Sequence, residues 1–391
     1  MSRSTRILLT GGGTGGHVYP GLAVAEALTA LARDVEVRFA GTRRGLEAVV
    51  VPRAGYRLHH VPASGVRGLG GKARLAFVVN FGLGLLASLL LMLRWRPAVV
   101  LGTGGYVSGP VLTAARLLGV PCCVQEQNAV PGSANRLVAR WSRRLYLGDD
   151  GARRFFAAER CRMTGNPVRA AFVEAVAAAG GEPAPAPPPT ADVPDGAPGR
   201  RVLVFGGSGG AHTLNEAVRQ AAGDWAPDTT LSLWIQTGTR EIAAVRDAFG
   251  LPARQPDGDR HRLRVVPYIQ DMPTALRWAD LVVCRAGAMT LAELQITGRA
   301  AILVPFPHAT DQHQLHNARA CEQAGAALVL TDDDCDGPRL VRLVTALLDD
   351  GPRRRTMARA ARGLARPGAA RAIAADLLDL AGHAAGERLT T

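Results

Sequence analysis

The chain has 391 residues, of which 47% are hydrophobic and 20% are charged. This ordinary globular balance provides apolar material for two cores and excludes a chain too polar to fold. The formal net charge of +13 favours a polyanionic partner, such as nucleic acid, anionic lipid or a phosphorylated substrate. A GC-rich genome that encodes arginine for lysine is the alternative explanation, since Lys72 is the only lysine.

The six cysteines contain no C-x-x-C pair, which excludes the common zinc and thioredoxin patterns. They lie mostly in apolar runs, so we expect buried free thiols in a reducing cytoplasm. The N-terminus leads directly into a strand-like run at residues 7–9, without the apolar core or cleavage site of a signal peptide.

Strand-like runs alternate with helical stretches through the first half of the chain. Residues 7–9 and 35–39 are predicted strands, and residues 21–32 between them carry apolar side chains at helical spacing. The series continues with strands at 99–101 and 122–124 and a helix at 109–118. Strands that alternate with helices of this length indicate βαβ units and a parallel sheet.

Residues 75–93 form an uncharged stretch long enough to span a bilayer. Asn80, Gly82 and Gly84 interrupt it, and a strand at 98–101 follows almost at once. A spanning helix, a core helix and a helix that meets the membrane surface all remain open. The basic residues that flank the stretch favour anionic headgroups: Arg67, Lys72, Arg74, Arg94 and Arg96.

The pattern restarts after residues 180–199, a segment rich in Pro, Ala and Gly that cannot supply a core. A strand at 201–205 and a glycine loop at 206–211 repeat the strand and glycine loop of residues 7–16. Later strands are predicted at 231–236, 264–266, 281–284, 301–304 and 327–330, and residues 339–380 are predicted to be helical and basic.

We therefore predict an α/β fold with two Rossmann-like domains, whose parallel sheets face a cleft. The expected boundaries are 1–170 for the first domain, 171–200 for a linker and 201–365 for the second domain. Residues 366–391 are expected to form a C-terminal helix that packs back on the first domain. In such sheets ligands bind beyond the carboxyl ends of the strands, so chemistry is expected in the loops there.

The first glycine loop matches G-x-G-x-x-G through Gly11, Gly13 and Gly16, between a strand and a helix. Glycines let the backbone approach a phosphate, and the helix N-terminus presents N–H groups to it. An NAD site would add an acid after the second strand, where residues 40–44 contain none. An NADP oxidoreductase and a tight turn without a ligand are the alternatives.

The second glycine loop carries Ser208 and offers backbone N–H groups to a pyrophosphate. Two such loops suggest transfer from a nucleotide donor to a phosphorylated acceptor. His17, at the end of the first loop, is a candidate general base, with a loop-capping histidine as the alternative. Glu126, in the polar run 125–128 after a strand, is a second candidate base, with a solvated loop as the alternative.

Glu293 is predicted within the helix that follows the strand at 281–284. Its carboxylate suits a ribose diol, although a carboxylate near a helix N-terminus also stabilises the helix itself. The amide of Gln314 suits sugar hydroxyls. His308, His313 and His316 lack the spacing of a zinc helix, so neither a metal site nor a cofactor is predicted.

Several segments together resemble one family, the MurG glycosyltransferases, which make lipid II from lipid I. The matching stretches are 11–28, 103–110, 126–136, 165–169, 205–216, 266–273 and 285–314. The resemblance implies a GT-B fold, a first domain that binds the lipid acceptor and a second that binds the UDP-sugar. It also implies an inverting, metal-independent transfer of N-acetylglucosamine from UDP-GlcNAc to the C4 hydroxyl of the muramyl sugar.

The resemblance implies that Ile269 offers its backbone to uracil, Glu293 holds the ribose, Gln314 the sugar and Ser208 the phosphates. The residues that match substrate-binding positions of the family are Thr14, Gly15, Gly16, Asn128, Arg169, Ser208, Ile269, Ala288, Met289, Thr290, Leu291, Ala292, Glu293 and Gln314. His17 is the first candidate for the catalytic base and Glu126 the second, with Asn128 as a positioning group.

Three features depart from the family pattern. Gly209 stands where a glutamine is usual, Ala286 replaces a common serine, and residues 180–199 are longer and richer in proline than the usual joint. The first departure concerns one phosphate or sugar contact. A different glycolipid transferase and a non-catalytic nucleotide-sugar or lipid-binding protein are the alternative functions.

The resemblance implies a peripheral protein at the cytoplasmic face of the plasma membrane. Its expected partners are UDP-GlcNAc, lipid I, an anionic membrane surface and other cell-wall enzymes, without nucleic acid. The sequence leaves the oligomeric state open.

Overall fold

The computed structural model describes residues 4–65, 71–177, 193–207, 209–253, 262–309 and 312–382. The chain divides into two compact units. Unit 1 contains Met1–Ala170 and Arg366–Thr391, and unit 2 contains Ala171–Ala365.

Unit 1 is built on a seven-stranded sheet in which every neighbouring pair is parallel. Its strands are β1 (Thr5–Gly11), β2 (Val35–Gly41), β3 (Arg57–His60), β4 (Val99–Gly104), β5 (Cys122–Glu126), β6 (Arg144–Leu147) and β7 (Cys161–Met163). They lie in the order β3-β2-β1-β4-β5-β6-β7. The order reverses between β1 and β4, which places the switch point of a doubly wound sheet there.

Helices cover both faces of this sheet. Those of the first part of unit 1 are α1 (Gly15–Leu31), α2 (Glu47–Arg53), α3 (Gly71–Trp95), α4 (Ser108–Leu117) and α5 (Ser133–Ala139). Helix α6 (Ala170–Ala177) follows, and all but its first residue belongs to unit 2. One core lies under α1 and a second lies under α3, α4 and α5. Coverage on both faces explains why β4 and β5 are fully buried along their length.

Unit 2 repeats the plan with a six-stranded parallel sheet in the order β10-β9-β8-β11-β12-β13. Its strands are β8 (Arg201–Phe205), β9 (Ser232–Gln236), β10 (Leu263–Val266), β11 (Leu281–Cys284), β12 (Ala301–Leu303) and β13 (Ala327–Val329). Its helices are α7 (His212–Trp225), α8 (Ile242–Ala248), α9 (Met272–Trp278), α10 (Ala288–Thr297), α11 (His313–Gln323), α12 (Gly337–Asp349) and α13 (Gly351–Gly363). The switch point lies between β8 and β11.

The region 339–380, predicted to be helical, contains most of α12, the whole of α13 and a third helix. The side chain of Asp350 accepts a hydrogen bond from the N–H of Arg353 at 2.9 Å and so caps the start of α13. After a break near Pro367, α14 (Ala369–Leu380) belongs to unit 1 and packs on α1. Tyr146 of β6 donates a hydrogen bond to Asp376 of α14 at 2.6 Å, which ties that helix to the sheet.

The described parts of the range 171–200 carry helical structure and buried contacts. Most of α6 lies in its first part, and residues 178–192 lie outside the described residues. Beyond them Val193 is buried, and the carbonyl of Pro194 accepts a 3.0 Å hydrogen bond from the indole of Trp278. The residues just before β8 therefore pack onto unit 2.

One helix of the described residues, Leu75–Trp95 within α3, is long and apolar enough to cross a membrane, judged by length and composition. One face packs on the core through Ser88, Met92 and Trp95. The opposite face is also apolar, and only 17% of the helix's apolar window is buried. The exposed side chains recur every three or four residues: Leu75, Val78, Val79, Leu83, Leu86, Leu90 and Leu93. An ordinary core helix would bury that row.

All six cysteines are free and buried, as expected from their apolar surroundings. Burial raises the pKa of the Cys123 thiol to about 12, so it remains protonated at neutral pH.

Candidate active site

In unit 1 the loops after β1 and β4 meet at the switch point of the sheet. The N–H of Gly12 donates to the carbonyl of Gly104 at 3.4 Å, which joins the two loops. Gly104 has a φ of +106°, and a Cβ there would lie 2.6 Å from the ring of His17. Glycine at position 104 therefore lets the imidazole lie directly against the β4 loop.

His17 lies in the first turn of α1 with its ring half-buried. Its Nδ1 lies 3.3 Å from the carbonyl oxygen of Gly12 and 3.3 Å from the hydroxyl of Thr14. Since a carbonyl can only accept, the contact with Gly12 favours the tautomer with the proton on Nδ1. That tautomer places the basic lone pair on Nε2, which is the arrangement that a general base requires.

Glu47, which the sequence did not single out, organises the first glycine loop. Its carboxylate is 1% exposed and accepts hydrogen bonds from the N–H of Gly13 at 2.9 Å and from the N–H and hydroxyl of Thr42. The N–H of Gly13 is therefore already hydrogen-bonded to a buried carboxylate. Anion binding by this loop falls to the N–H groups at the start of α1, where Thr14, Gly15 and Gly16 lie.

Tyr106, in the loop after β4, is a second residue that the sequence argument did not single out. Its hydroxyl would lie 3.4 Å from a Cβ placed on Gly13, and 40% of the residue is exposed. Its phenol therefore lies over the glycine loop with a polar atom near solvent. Tyr106 lay inside one of the matching stretches, but an aromatic residue in a loop gave no separate signal.

Glu126, the second candidate base, lies in the protein interior with its carboxylate fully hydrogen-bonded. It is 1% exposed, and its oxygens accept from the N–H and side-chain amide of Asn128, the N–H of Gly132 and the side-chain amide of Asn135. Burial raises the pKa of Glu126, although these hydrogen bonds oppose the shift. Because four donors converge on it in the interior, its carboxylate holds the loop after β5.

The neighbours of Glu126 are likewise turned inward. Gln125 and Gln127 are buried and hydrogen-bonded to each other at 2.6 Å, and Asn166 bonds to both residues. The solvated-loop alternative is therefore wrong for Gln125, Glu126 and Gln127, which are all buried. Asn128 remains half-buried, with its amide engaged by Glu126.

Arg169 lies near the end of the first part of unit 1, where its guanidinium stacks over the ring of Tyr19 at 4.7 Å. Tyr19 belongs to α1, and its ring would lie 3.2 Å from a Cβ on Gly15. The stack brings a fixed positive charge to the side of α1 where the first glycine loop ends.

In unit 2 the second glycine loop follows β8, and Ser208 lies outside the described residues. Gly207 and Gly210 both have positive φ, at +94° and +80°. A Cβ on Gly210 would lie 2.1 Å from the carbonyl of Thr237, so the loop packs directly on the connection after β9.

Ile269 lies in the connection between β10 and α9 and is buried. Its N–H donates to the side-chain oxygen of Gln236 at 2.8 Å. With that N–H engaged inside the protein, the backbone of Ile269 offers a base its carbonyl oxygen, which accepts an N–H. Gln236 was missed because a single glutamine at the end of a strand carries no motif.

The predicted substrate-binding run forms the first two turns of α10. Met289, Leu291, Ala292 and Glu293 are buried, whereas Ala288 and Thr290 are partly exposed. Within the described chain no side chain caps this N-terminus and its first turn has no acid, so its N–H groups suit an anion.

Arg285 links the loop after β11 to the loops after β12 and β13. Arg285 donates to the carbonyls of Val304 and Pro305, both at 3.2 Å, and forms an ion pair with Asp332. Gln314 of α11 accepts from the N–H of Phe306 at 3.0 Å through its side-chain oxygen. The amide nitrogen of Gln314 is the half of the side chain that suits a sugar hydroxyl.

Across the described ranges, no group of three or more His, Cys, Asp or Glu side chains is arranged to hold a metal ion. His308 and His316 are exposed, and the ring of His308 packs edge-on against Phe306 at 5.7 Å.

Known proteins are similar to this chain over nearly its whole length. Models of the glycosyltransferase family 28 N-terminal and C-terminal domains match residues 7–147 and 201–374. Two relatives share the name UDP-N-acetylglucosamine--N-acetylmuramyl-(pentapeptide) pyrophosphoryl-undecaprenol N-acetylglucosamine transferase. The Geobacter metallireducens protein is 39% identical over 95% of this chain and 98% of its own. The Salinibacter ruber protein is 42% identical over 97% and 98%.

Two solved structures are also similar to this chain. Acinetobacter baumannii MurG superposes with a TM-score of 0.69 and 29% identity, over 96% of this chain and 99% of its own. A UDP-GlcNAc 2-epimerase from Neisseria meningitidis, at 12% identity and a TM-score of 0.63 over 96% and 100%, shares the fold.

The two family 28 domain matches, together with two parallel-sheet α/β units, identify a glycosyltransferase of the GT-B class, and the prediction of two Rossmann-like domains with parallel sheets is confirmed. The chain is a hexosyltransferase. Within that class it belongs to the MurG family.

Proposed function

We propose that the protein transfers N-acetylglucosamine from UDP-GlcNAc to lipid I, forming lipid II for peptidoglycan synthesis. Lipid I is undecaprenyl-pyrophosphoryl-N-acetylmuramyl-pentapeptide, and its C4 hydroxyl is the acceptor. The observation that carries the proposal is near-complete alignment, at 39–42% identity, with relatives named for this reaction. Unit 1 is assigned the acceptor and unit 2 the donor.

The chemical step is an inverting displacement. The acceptor C4 hydroxyl loses its proton to Nε2 of His17 while its oxygen bonds to the anomeric carbon of the donor sugar. The bond from that carbon to the diphosphate oxygen breaks, and UDP leaves with the electron pair. The contact of Nδ1 with Gly12 supports this role, since it favours the tautomer in which Nε2 is basic.

Negative charge on the departing diphosphate requires stabilisation. In unit 2 the second glycine loop leads into α7, and the N-terminus of α10 has neither an acid in its first turn nor a side-chain cap in the described chain. Helix N-termini supply N–H groups and a partial positive charge without reorganisation, so both suit the leaving group. Arg169, in unit 1, is kept as a proposed substrate-binding residue.

The remaining contacts are carried over from the family and belong to this proposal. Glu293 is assigned the ribose, Gln314 the sugar hydroxyls, Ile269 the uracil and Ser208 the phosphates. The other proposed substrate-binding residues are Thr14, Gly15, Gly16, Asn128, Ala288, Met289, Thr290, Leu291 and Ala292. Glu126 is withdrawn as a base and kept as the organiser of the loop that holds Asn128.

A transfer assay tests the proposed reaction. Radiolabelled UDP-GlcNAc is incubated with a lipid I analogue, and parallel reactions contain UDP-GalNAc or UDP-glucose. We expect lipid-linked product from UDP-GlcNAc and at least tenfold less from the other donors. Equal transfer from all three would refute the donor assignment, and UDP release that is independent of the acceptor would refute the acceptor assignment.

We also propose that the protein attaches peripherally to the cytoplasmic face of the plasma membrane through the exposed face of α3. The supporting observation is the apolar row from Leu75 to Leu93, which the protein leaves uncovered over the whole helix. An acceptor with a polyprenyl tail remains in the bilayer, so the enzyme must reach it there. Lying in the interface accounts for the exposed row, while the buried side of α3 remains on the core.

A further inference from the structure

A buried glutamine joins two loops of unit 2 that follow different strands. Gln236, the last residue of β9, is 2% exposed. Its side-chain nitrogen donates to the carbonyl of Gly207 at 2.8 Å, and its side-chain oxygen accepts from the N–H of Ile269 at 2.8 Å. A carbonyl can only accept and an N–H can only donate, so these two partners fix the orientation of the amide.

The first of these loops contains four glycines, and Gly207 has a φ of +94°. One backbone hydrogen bond lies within it, from the N–H of Gly210 to the carbonyl of Gly207 at 3.1 Å. Because glycine loses the most conformational freedom on folding, contacts from neighbouring residues contribute to the conformation of this loop. Gln236 supplies one, and the carbonyl of Thr237, against which Gly210 packs, supplies another.

The second loop is tied to the same strand end. The N–H of Thr237 donates to Val266 and that of Gly238 to Pro267, both at 3.1 Å, so the residues before Ile269 are bonded along the connection after β9. The strands β8, β9 and β10 are adjacent in the sheet. With strands about 4.8 Å apart, the loops after β8 and β10 lie roughly 10 Å apart, a distance that a nucleotide can cover.

We propose that Gln236 is a positioning residue for the donor, one that sets the spacing between the loop that binds the diphosphate and the loop that binds the base. The inference rests on the proposed function, which assigns those ligands to the two loops. An amide suits the position because it donates to one loop and accepts from the other. A carboxylate can only accept, and an aliphatic side chain can do neither.

Two substitutions separate the two hydrogen bonds. Gln236→Glu keeps an acceptor for Ile269 and loses the donor to Gly207, whereas Gln236→Met, of similar length, loses both. The probes are UDP and uridine, used as competitive inhibitors of the transfer reaction and compared with the wild-type enzyme. Uridine reports on the base loop alone, and UDP reports on both loops. Melting temperature, kcat at saturating donor and acceptor KM are measured on each variant.

For Gln236→Glu we expect UDP to bind about tenfold more weakly or worse, because the carbonyl of Gly207 loses its side-chain donor and keeps only the N–H of Gly210, with uridine changed less than threefold. For Gln236→Met we expect both ligands to weaken. In each variant kcat at saturating donor and acceptor KM should stay within about threefold of wild type. Exposed Gln323, at the end of α11, provides the matched Gln→Glu control and should change neither ligand.

Unchanged UDP binding in both variants would overturn the inference. Equal loss of UDP and uridine in Gln236→Glu, accompanied by a lower melting temperature, would also overturn it, since that result describes a glutamine needed only for folding. A wild-type enzyme that binds no UDP and transfers no sugar would instead refute the proposed function, before any variant is compared.

Discussion

At the scale of single residues, two candidates for the same role occupy different environments. His17 lies at the junction of two loops at the sheet's switch point, half-buried and with a carbonyl oxygen beside Nδ1. Glu126 lies in the interior with four hydrogen-bond donors around its carboxylate. Their positions in the sequence, each after a strand, do not distinguish them.

His17→Ala should lower kcat by ~10²–10⁴, with little change in donor KM, because the variant lacks the proposed proton acceptor. Steady-state kinetics with varied donor checks this expectation. His60→Ala, an exposed histidine at the end of β3 in the same sheet, is the control and should retain full kcat. A loss of less than about tenfold in His17→Ala would remove the histidine from the role of base.

Glu126→Gln should act mainly on stability. The amide keeps one acceptor oxygen but turns an NH2 group toward existing donors, which should cost about 1–3 kcal/mol of unfolding free energy. Urea denaturation measures this cost, and kinetics on the folded variant should show kcat reduced less than tenfold. A variant as stable as wild type but more than a hundredfold slower would restore Glu126 as a base.

The same carboxylate gives a pH dependence of stability. Burial raises the pKa of Glu126, so the folded state holds this proton more tightly than the unfolded state. Its stabilising contribution is therefore present below the ordinary carboxyl pKa and is lost as pH rises through the raised value. The unfolding free energy of wild type minus that of Glu126→Gln should decrease as pH rises above about 4.5. A difference that increases with pH would show that the hydrogen bonds outweigh burial.

Glu293→Gln should weaken donor binding by roughly 10- to 150-fold, the effect of losing a charged hydrogen bond to the ribose. Donor KM is the measurement, and acceptor KM and melting temperature should be unchanged. An unchanged donor KM would refute the ribose assignment. Glu174→Gln, an exposed glutamate of α6, provides the matched control.

At the scale of elements, the positions predicted from the sequence agree best with the observed positions for the buried strands. The predicted strands at 7–9, 99–101 and 122–124 lie within β1, β4 and β5. Strands β3, β6 and β7, toward the edges of the sheet, were not predicted, because short strands carry a weaker apolar signal. Helix α1 begins at Gly15, earlier than predicted. Pro20 lies within its second turn and does not interrupt the helix.

The exposed face of α3 leads to a prediction about attachment. Leu86→Ser with Leu90→Ser removes apolar area from the middle of the exposed row and should reduce binding to anionic vesicles by about tenfold or more. Vesicle co-sedimentation measures the binding, and transfer to a short-chain soluble acceptor should be retained. Leu137→Ser, an exposed leucine of α5, is the control. Unchanged vesicle binding of the double variant would exclude α3 as the attachment surface.

At the scale of the whole molecule, two features arise from the entire chain. One is the strand order that the two units share: in each parallel sheet, the order of the strands reverses beside the first strand of the unit. The other is the net charge of +13, which exceeds what the proposed phosphate contacts require. Such a charge favours anionic surfaces over neutral ones at moderate salt.

Binding to vesicles should therefore depend on lipid charge and on salt. We expect stronger co-sedimentation with anionic than with neutral vesicles, and weaker binding as NaCl rises from 0.05 to 0.5 M, because ions screen headgroup charges over about 10 Å or less. Equal binding to both vesicle types would refute the electrostatic contribution. Retention through high-salt and carbonate washes would refute peripheral attachment.

The sequence alone determined the class of fold and the family, because both depend on local patterns. Alternating strands and helices, two glycine loops and the motifs that flank them can each be recognised in a short stretch of sequence. Tertiary structure decided what each polar side chain does. Glu126 became an internal hydrogen-bond acceptor, Glu47 bound the glycine loop from 34 residues away, and Gln236 joined two loops. It also decided which face of α3 was left uncovered. Burial and hydrogen bonding depend on residues distant in the chain, so no local pattern specifies them.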